Sequence, residues 1–568
     1  KLAQELDMIT KGLKFTGLFS FKNYSSSSTE RSASYNHYYM SSYDPSSMEY
    51  KITRIGDEQS TALTNDGSRN GDRKMYFQAI LDYNRIFKEV HDLNIMFLYN
   101  QEQYDINGPT TLFSSLPQRK QGVAGRVSYS YDGRYYIEGN FGYNGSENFA
   151  KGHRFGFFPS IAVGYNISNE KFWQPIKPVI SNLKIRGSWG LVGNDATNAG
   201  RFAYMEDLVL GGSDSYTTGI RQDTYYSGPS WNRYFNPDLT WEVGEKINLG
   251  LDLQLFNDFN LTFDIFREKR RDIFMTRENS IPEIVGTGET KITSNNGEME
   301  NKGLDLAIDY NKQITKDFFL SFKSTLTFAR NKVLKMDESP YFEYPGLSDV
   351  GHPLGTYWGY VADGLFPDQE TIDNSPRQDL GYTPQPGDIK YVNQPNAKGE
   401  YDNVINSNDR VAIGHPYDPE LVYGFGPSMK WKNWDFSFFF QGVARTSFMM
   451  YGMHPFGTTS IKNMLQFVAD DHWSVDNPNP NAAYPRLTKD SNGNNDQYST
   501  YWLRNAAFLK LKNAEIGYTY KGMRFYLSGV NLLTFSPFKH WDPEMGGGNG
   551  LYYPTQRVFN IGFQMTIQ

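Results

Sequence analysis

Chemistry needs nucleophiles, metal ligands or paired acids, and this sequence of 568 residues offers few in usable arrangements. It has no cysteine, which removes thiolate nucleophiles, thiolate metal sites and disulfide staples together and suits a chain that crosses an oxidising compartment. Its eight histidines, from His37 to His540, stand singly. No Gly-x-Ser-x-Gly, Walker-type or His-Glu-x-x-His pattern occurs. The run Gly546-Gly547-Gly548-Asn549-Gly550 has the composition of a phosphate loop, but it follows Pro543 and leads into strand-like sequence, so it reads as an ordinary loop. Asp388, Asp402, Asn406, Asn408 and Asp409 gather oxygen atoms around Gly399 as a structural Ca²⁺ site does. Their spacing is not that of an EF-hand, and Asx turns use the same residue types. No catalytic residue, metal ligand or cofactor is therefore assigned, and calcium stays only a weak alternative. What remains is binding: Tyr225, Tyr226, Trp231, Tyr357, Trp358 and Trp473 could stack on sugars or peptide side chains, or pack loops against one another.

Composition narrows the class of protein that could present those rings. A net charge of −7 argues against a basic nucleic-acid binder. Aromatic residues reach 16%, too many for a disordered chain, and no run approaches the roughly 18 apolar residues of a membrane helix. Lys1 leads straight into strand-like sequence without a signal peptide, as expected if the N-terminus has been removed or the chain begins inside a larger protein.

The dominant pattern has period 2. Ile247, Leu249, Leu251, Leu253 and Leu255 alternate with Asn248, Gly250, Asp252 and Gln254, and similar alternation occurs around Val127, around Leu304 and from Phe559 to Ile567. Such segments, rich in β-branched and aromatic residues, predict strands near 2–9, 13–26, 72–86, 91–104, 121–131, 135–146, 155–167, 181–192, 239–255, 258–273, 296–312, 317–331, 420–431, 434–444, 504–519, 523–533 and 556–567. Short turns such as Tyr131-Asp132-Gly133-Arg134 alternate with long connections at 27–71, 193–238, 332–419 and 445–501. This describes an all-β, antiparallel up-and-down transmembrane barrel with an apolar outer face and a polar lumen. Tyr129, Tyr131, Tyr135, Tyr518, Tyr520 and Phe525, near the short turns, form the expected aromatic girdle. About 17 strands is an odd number, whereas single-chain bacterial barrels have even ones, so further strands are expected to pair with both edges.

Several segments give the chain a familiar order. They include Tyr131-Asp132-Gly133-Arg134-Tyr135, Asn236-Pro237-Asp238-Leu239-Thr240-Trp241-Glu242, Gly355-Thr356-Tyr357-Trp358-Gly359-Tyr360, Tyr484-Pro485-Arg486-Leu487, Phe508-Leu509-Lys510-Leu511-Lys512-Asn513 and Asp542-Pro543-Glu544. Together they make the chain resemble the SusC-like (RagA-like) family of TonB-dependent outer-membrane transporters nearly end to end. The resemblance implies a plugged barrel of about 22 strands, of which residues 1–568 supply the C-terminal portion; the plug and the first five or so strands have no counterpart here. It also implies localisation in the outer membrane, among lipid and lipopolysaccharide. The expected activity is TonB-energised import of oligosaccharides, with peptides as the alternative substrate and a SusD-like lipoprotein as lid. The loop from Asp388 to Asp409 lacks the family's compact Asp-x-Asn-Gly-Asp-Gly run, a departure that weakens the calcium reading.

Two other classes fit parts of the pattern. A secreted β-rich glycan-binding protein or hydrolase would also be aromatic-rich and free of cysteine, but would bury its apolar rows. A passive porin would lack plug and lid.

Overall fold

The computed structural model describes residues 1–565 apart from 61, 110, 197–199, 212–214, 278, 283, 285–291, 340, 342, 453–463 and 489–491. Seventeen strands form one sheet, each hydrogen-bonded antiparallel to its neighbours in sequence. They are β1 (Leu2–Glu5), β2 (Leu13–Ser32), β3 (Thr64–Phe87), β4 (His91–Asn107), β5 (Gln118–Tyr131), β6 (Tyr135–Ser146), β7 (Phe155–Asn166), β8 (Ile180–Asn194) and β9 (Glu242–Leu255). The order continues with β10 (Phe259–Arg277), β11 (Ile292–Thr315), β12 (Phe318–Lys335), β13 (Leu421–Trp431), β14 (Trp434–Ala444), β15 (Phe508–Tyr520), β16 (Met523–Phe535) and β17 (Val558–Met565). Among the described residues β1 and β17 form the two edges of the sheet. Ile567, expected in the last strand, lies outside the described residues.

Several strand ends differ from those expected, each for a local reason. β1 stops at Glu5 because the Asp7 carboxylate accepts from the Gly12 N–H at 2.8 Å and closes a turn. β2 and β3 continue as a serine-rich ladder pairing Ser25–Ser32 with Thr64–Gly71, so their connection is 33–63 instead of 27–71. β15 starts at Phe508, not at 504, because Leu503–Asn505 leave the sheet to pair with Ser447–Met449. The other three long loops fall at 195–241, 336–420 and 445–507, and a further one, 536–557, joins β16 to β17. At the short end, Asp132 and Gly133 take φ of 51° and 61°, the left-handed pair that a two-residue hairpin turn requires.

The alternation sorts into two faces. Leu93, Tyr129, Ile137, Val163, Gly187, Leu249, Ile265, Leu304, Phe328 and Leu421 are directly opposed in turn, forming one continuous row across ten strands. Leu249 is 61% exposed and Ile265 52%, which a water-soluble fold would not tolerate over so long a stripe. This is the outer, lipid-facing side. The opposite face is polar: Arg186 of β8 reaches Asp252 of β9 at 3.2 Å and Asp264 of β10 at 2.7 Å. Near the short turns, aromatic rows run His91–Tyr131–Tyr135–Tyr165 and Trp431–Trp434–Tyr518–Phe525–Phe563, placing the expected girdle residues Tyr131, Tyr135, Tyr518 and Phe525 side by side.

The assignment of faces carries a prediction. Leu306 lies in the middle of the outer band, opposed by Phe263 and Leu326, whereas Ala307 faces inward between Thr262 and Thr325. Leu306→Arg is expected to cost about 2–4 kcal/mol of folding in lipid vesicles, and Ala307→Arg much less. A folding titration read by heat-modifiable gel mobility checks this; greater damage from Ala307→Arg would reverse the faces.

Candidate substrate site at the long-loop end

Loops 336–420, 445–507 and 536–557 pack around a common apolar core that includes Tyr360, Ile389, Phe448, Val468, Tyr484, Trp502 and Phe538. Two polar knots fix their positions. In the first, the fully buried Asp388 carboxylate accepts from Arg486 Nε at 2.7 Å, Asn492 Nδ2 at 3.0 Å, Asn495 Nδ2 at 2.9 Å and the Gln385 N–H at 2.8 Å. In the second, the fully buried Lys510 of β15 pairs with Asp542 at 2.7 Å and with Glu544, holding loop 536–557 against the sheet. Lys512 adds a weaker contact to Glu544 at 3.3 Å. The Gly546–Gly550 run fits here as loop: a Cβ on Gly547 would stand 2.3 Å from the Met449 carbonyl oxygen, so only glycine permits the approach.

Beside the second knot lies a recess of about 570 Å³. Val443 of β14 and Phe508 of β15 contribute to its wall. Loop 336–420 supplies Tyr357 and Tyr417, loop 445–507 supplies Tyr451 and Tyr498, and loop 536–557 supplies Glu544 and Tyr552. Tyr417, Tyr451, Tyr498 and Tyr552 are each about half exposed, with 46–58% of their surface open. A hydrogen bond with Tyr552 raises the Tyr451 phenol above its ordinary pKa, and burial raises that of Tyr357, so both stay protonated at neutral pH. Among the described residues Glu544 is the single charged one in the lining, and both lysines already engage it. The recess therefore offers ring faces and neutral hydroxyls, an arrangement suited to binding without reaction.

The sequence-selected aromatics occupy separate places. Tyr357 alone lines this recess. Trp358 is half-buried and donates to Asp349 at 2.6 Å. Trp473 is buried and lies against Gly387, where a Cβ would meet its ring at 2.2 Å. Tyr225 and Tyr226 sit on the exposed hairpin Ser215–Thr218/Thr224–Ser227, Tyr226 stacking on Tyr216 at 5.3 Å, and Trp231 stacks on Tyr234 at 5.5 Å. Sequence reasoning missed Tyr417, Tyr451, Tyr498 and Tyr552; their only shared signal was tyrosine in a long loop.

The oxygen-rich residues considered for calcium are divided between roles. Asp388 turns to Arg486, while Asp409 accepts from the backbone amides of Gln394 at 2.7 Å and Asn406 at 2.8 Å. Asp402 accepts from the Val404 N–H at 3.0 Å, and Asn406 accepts from the Asn408 N–H at 2.8 Å. Burial raises the Asp409 pKa. Among the described residues no group of three or more His, Asp or Glu is placed to hold a metal.

An antiparallel wall with a lipid-facing band, an aromatic girdle and long loops packed together at one end is the architecture of an outer-membrane β-barrel. Residues 5–532 match the family described as TonB dependent receptor-like, beta-barrel, and the chain belongs to that family. It is 29% identical over 468 residues to the TonB-dependent receptor SusC of Bacteroides thetaiotaomicron, covering 78% of this chain and 43% of that protein. Over 478 residues it is 27% identical to TonB-dependent receptor P3 of Formosa agariphila, covering 78% and 45%. The chain thus spans less than half the length of these relatives. Its fold is similar to that of the RagAB peptide importer in the open-open state, with a TM-score of 0.74 and 19% identity over 98% of this chain and 59% of that one. Proteins of this family reside in the outer membrane and are receptors and transporters, not enzymes. Family and lipid-facing rows together set aside the secreted alternative.

Proposed function

We propose that this chain forms the wall and receiving mouth of an importer that takes up oligosaccharides, energised through TonB and closed by a SusD-like lipoprotein. The tyrosine-lined recess carries the reading: half-exposed rings can stack on sugar faces while phenols and backbone groups meet hydroxyls. A peptide would bring charged termini, and Glu544, the one charged lining residue among those described, is already paired. Family membership and the similarity to SusC support the TonB and lid partnerships. Tyr38, Tyr39, Tyr43, Tyr50 and Ile52, all more than half exposed on the hairpin His37–Asp44/Glu49–Ile55, offer a contact surface for the lid.

Calorimetric titration of the full-length protein with neutral oligosaccharides and with peptide mixtures tests the substrate class. Tyr451→Ala combined with Tyr552→Ala is expected to weaken sugar binding roughly tenfold or more, at about 1 kcal/mol per ring contact, without altering thermal stability. Tight binding of peptides with none of sugars would replace this reading by the peptide one.

A further inference from the structure

On the outer face, rows of opposed residues cross the sheet, and one of them changes character midway. Ile95, Val127, Gly139, Ile161, Trp189 and Ile247 follow one another from β4 to β9, and the same row continues as Arg267, Lys302 and Arg330 on β10, β11 and β12. The next row toward the short turns is Leu249, Ile265, Leu304 and Phe328, so the acyl-chain zone ends directly beneath the three cations. The next row toward the long loops reads Glu245, Lys269, Glu300 and Lys332, alternating in sign. Directly opposed like charges destabilise a sheet. The upper row avoids them, but the row at the lipid boundary sets three cations side by side.

The neighbouring carboxylates do not cancel this arrangement. Glu300 bridges Arg267 at 2.6 Å and Lys302 at 2.7 Å, with only 13% of its own side chain exposed. Glu420, 5% exposed, bridges Arg330 at 3.1 Å and Arg445 at 2.6 Å. The acids are the covered partners, while the Arg267, Lys302 and Arg330 side chains remain 51%, 61% and 56% exposed. On β4 and β5, by contrast, the outward residues toward the long loops include the amides Gln101, Gln103 and Gln121, and the cation Arg119 opposes the neutral Gln103 instead of another cation. In outer-membrane barrels the long loops are extracellular, so the cations lie at the outer leaflet, whose glycolipid carries phosphates above its acyl chains.

We propose that Arg267, Lys302 and Arg330 form a binding site for the phosphates of outer-leaflet lipopolysaccharide, with its acyl chains lying along Leu249, Ile265, Leu304 and Phe328. Guanidinium groups suit this role because their N–H donors can be shared between a buried carboxylate and an outward phosphate. The site fixes one lipid against β10–β12, on the face opposite the recess wall.

Native mass spectrometry of the full-length protein in detergent, titrated with bis-phosphorylated lipid A and with its dephosphorylated form, provides the test. The unaltered protein should retain the phosphorylated lipid and release the other. The combined variant R267Q/K302Q/R330Q should bind about a hundredfold more weakly, on the scale of three basic groups at an anionic surface. Lys246→Gln, on the inner face, should change nothing. Equal retention of both lipids by the unaltered protein would overturn the site without recourse to any variant. Displacement of the lipid by millimolar inorganic phosphate would assign the cations to a free anion and overturn it too, as would undiminished binding by a folded triple variant.

Discussion

Removing Asp542 and Glu544 together is expected to destabilise the long-loop end by about 3–5 kcal/mol, more than removing the lysine they surround. The asymmetry follows from burial. The Lys510 side chain is 0% exposed, whereas those of Asp542 and Glu544 are 19% and 26% exposed. Asp542→Ala with Glu544→Ala strands an ammonium that cannot reach water unless loop 536–557 leaves the sheet. Lys510→Met leaves two carboxylates already near solvent, one of them still 3.3 Å from Lys512, and inserts an apolar chain of similar length. The triple variant should recover much of the loss, since an apolar replacement of a buried ion pair is often neutral. Limited proteolysis within 546–553 and thermal unfolding of the purified protein provide the readings. If Lys510→Met proves the more damaging change, or the triple variant fails to recover, the pair does not pin this loop.

The strands were legible because their two sides meet different solvents. From β9 to β12 one side faces lipid and the other a polar interior, so within the apolar band leucine, isoleucine and phenylalanine alternate with polar residues such as Asp252, Asp264, Asp305 and Thr327. Periodicity fails where that constraint ends. Ser25–Ser32 pair above the apolar band through the backbone and hydroxyl contacts such as Ser28–Ser68 at 2.8 Å and Ser32–Thr64 at 3.0 Å, and their composition reads as loop although they form a ladder. Inside the long connections no period exists, and position depends on polar partners far apart in sequence. Arg486 stands in a recognisable segment, but its partner Asp388 lies 98 residues away. Proximity in the chain therefore groups Asp388 with Asp402 and Asp409, whereas in space it faces another loop. Trp473 reads from sequence as a ring open to ligand, but it is buried and Gly387 packs against it. The tyrosines of the recess converge from three loops, so nothing short of the fold could bring Tyr417, Tyr451, Tyr498 and Tyr552 together.

Asp388→Ala should be about as costly as losing both acids around Lys510, again about 3–5 kcal/mol, and more costly than Arg486→Met. Asp388 collects four donors, so its removal leaves the Arg486 guanidinium without a counterion and deprives the buried Asn492 and Asn495 amides of their acceptor. Arg486→Met removes one donor only; the carboxylate keeps the two asparagine amides and the Gln385 N–H. A double-mutant cycle should then show the combined variant less damaged than the sum of the single changes, because each single change leaves a polar group unpaired that the double change also removes. Ligand affinity should fall with the loop packing in Asp388→Ala, since this knot joins loop 336–420, which carries Tyr357 and Tyr417, to loop 445–507, which carries Tyr451 and Tyr498. In the tyrosine variants, affinity should fall while thermal stability holds. Thermal unfolding and calorimetric titration of the same three proteins separate the two effects, and strict additivity in the cycle would show that Asp388 and Arg486 act independently.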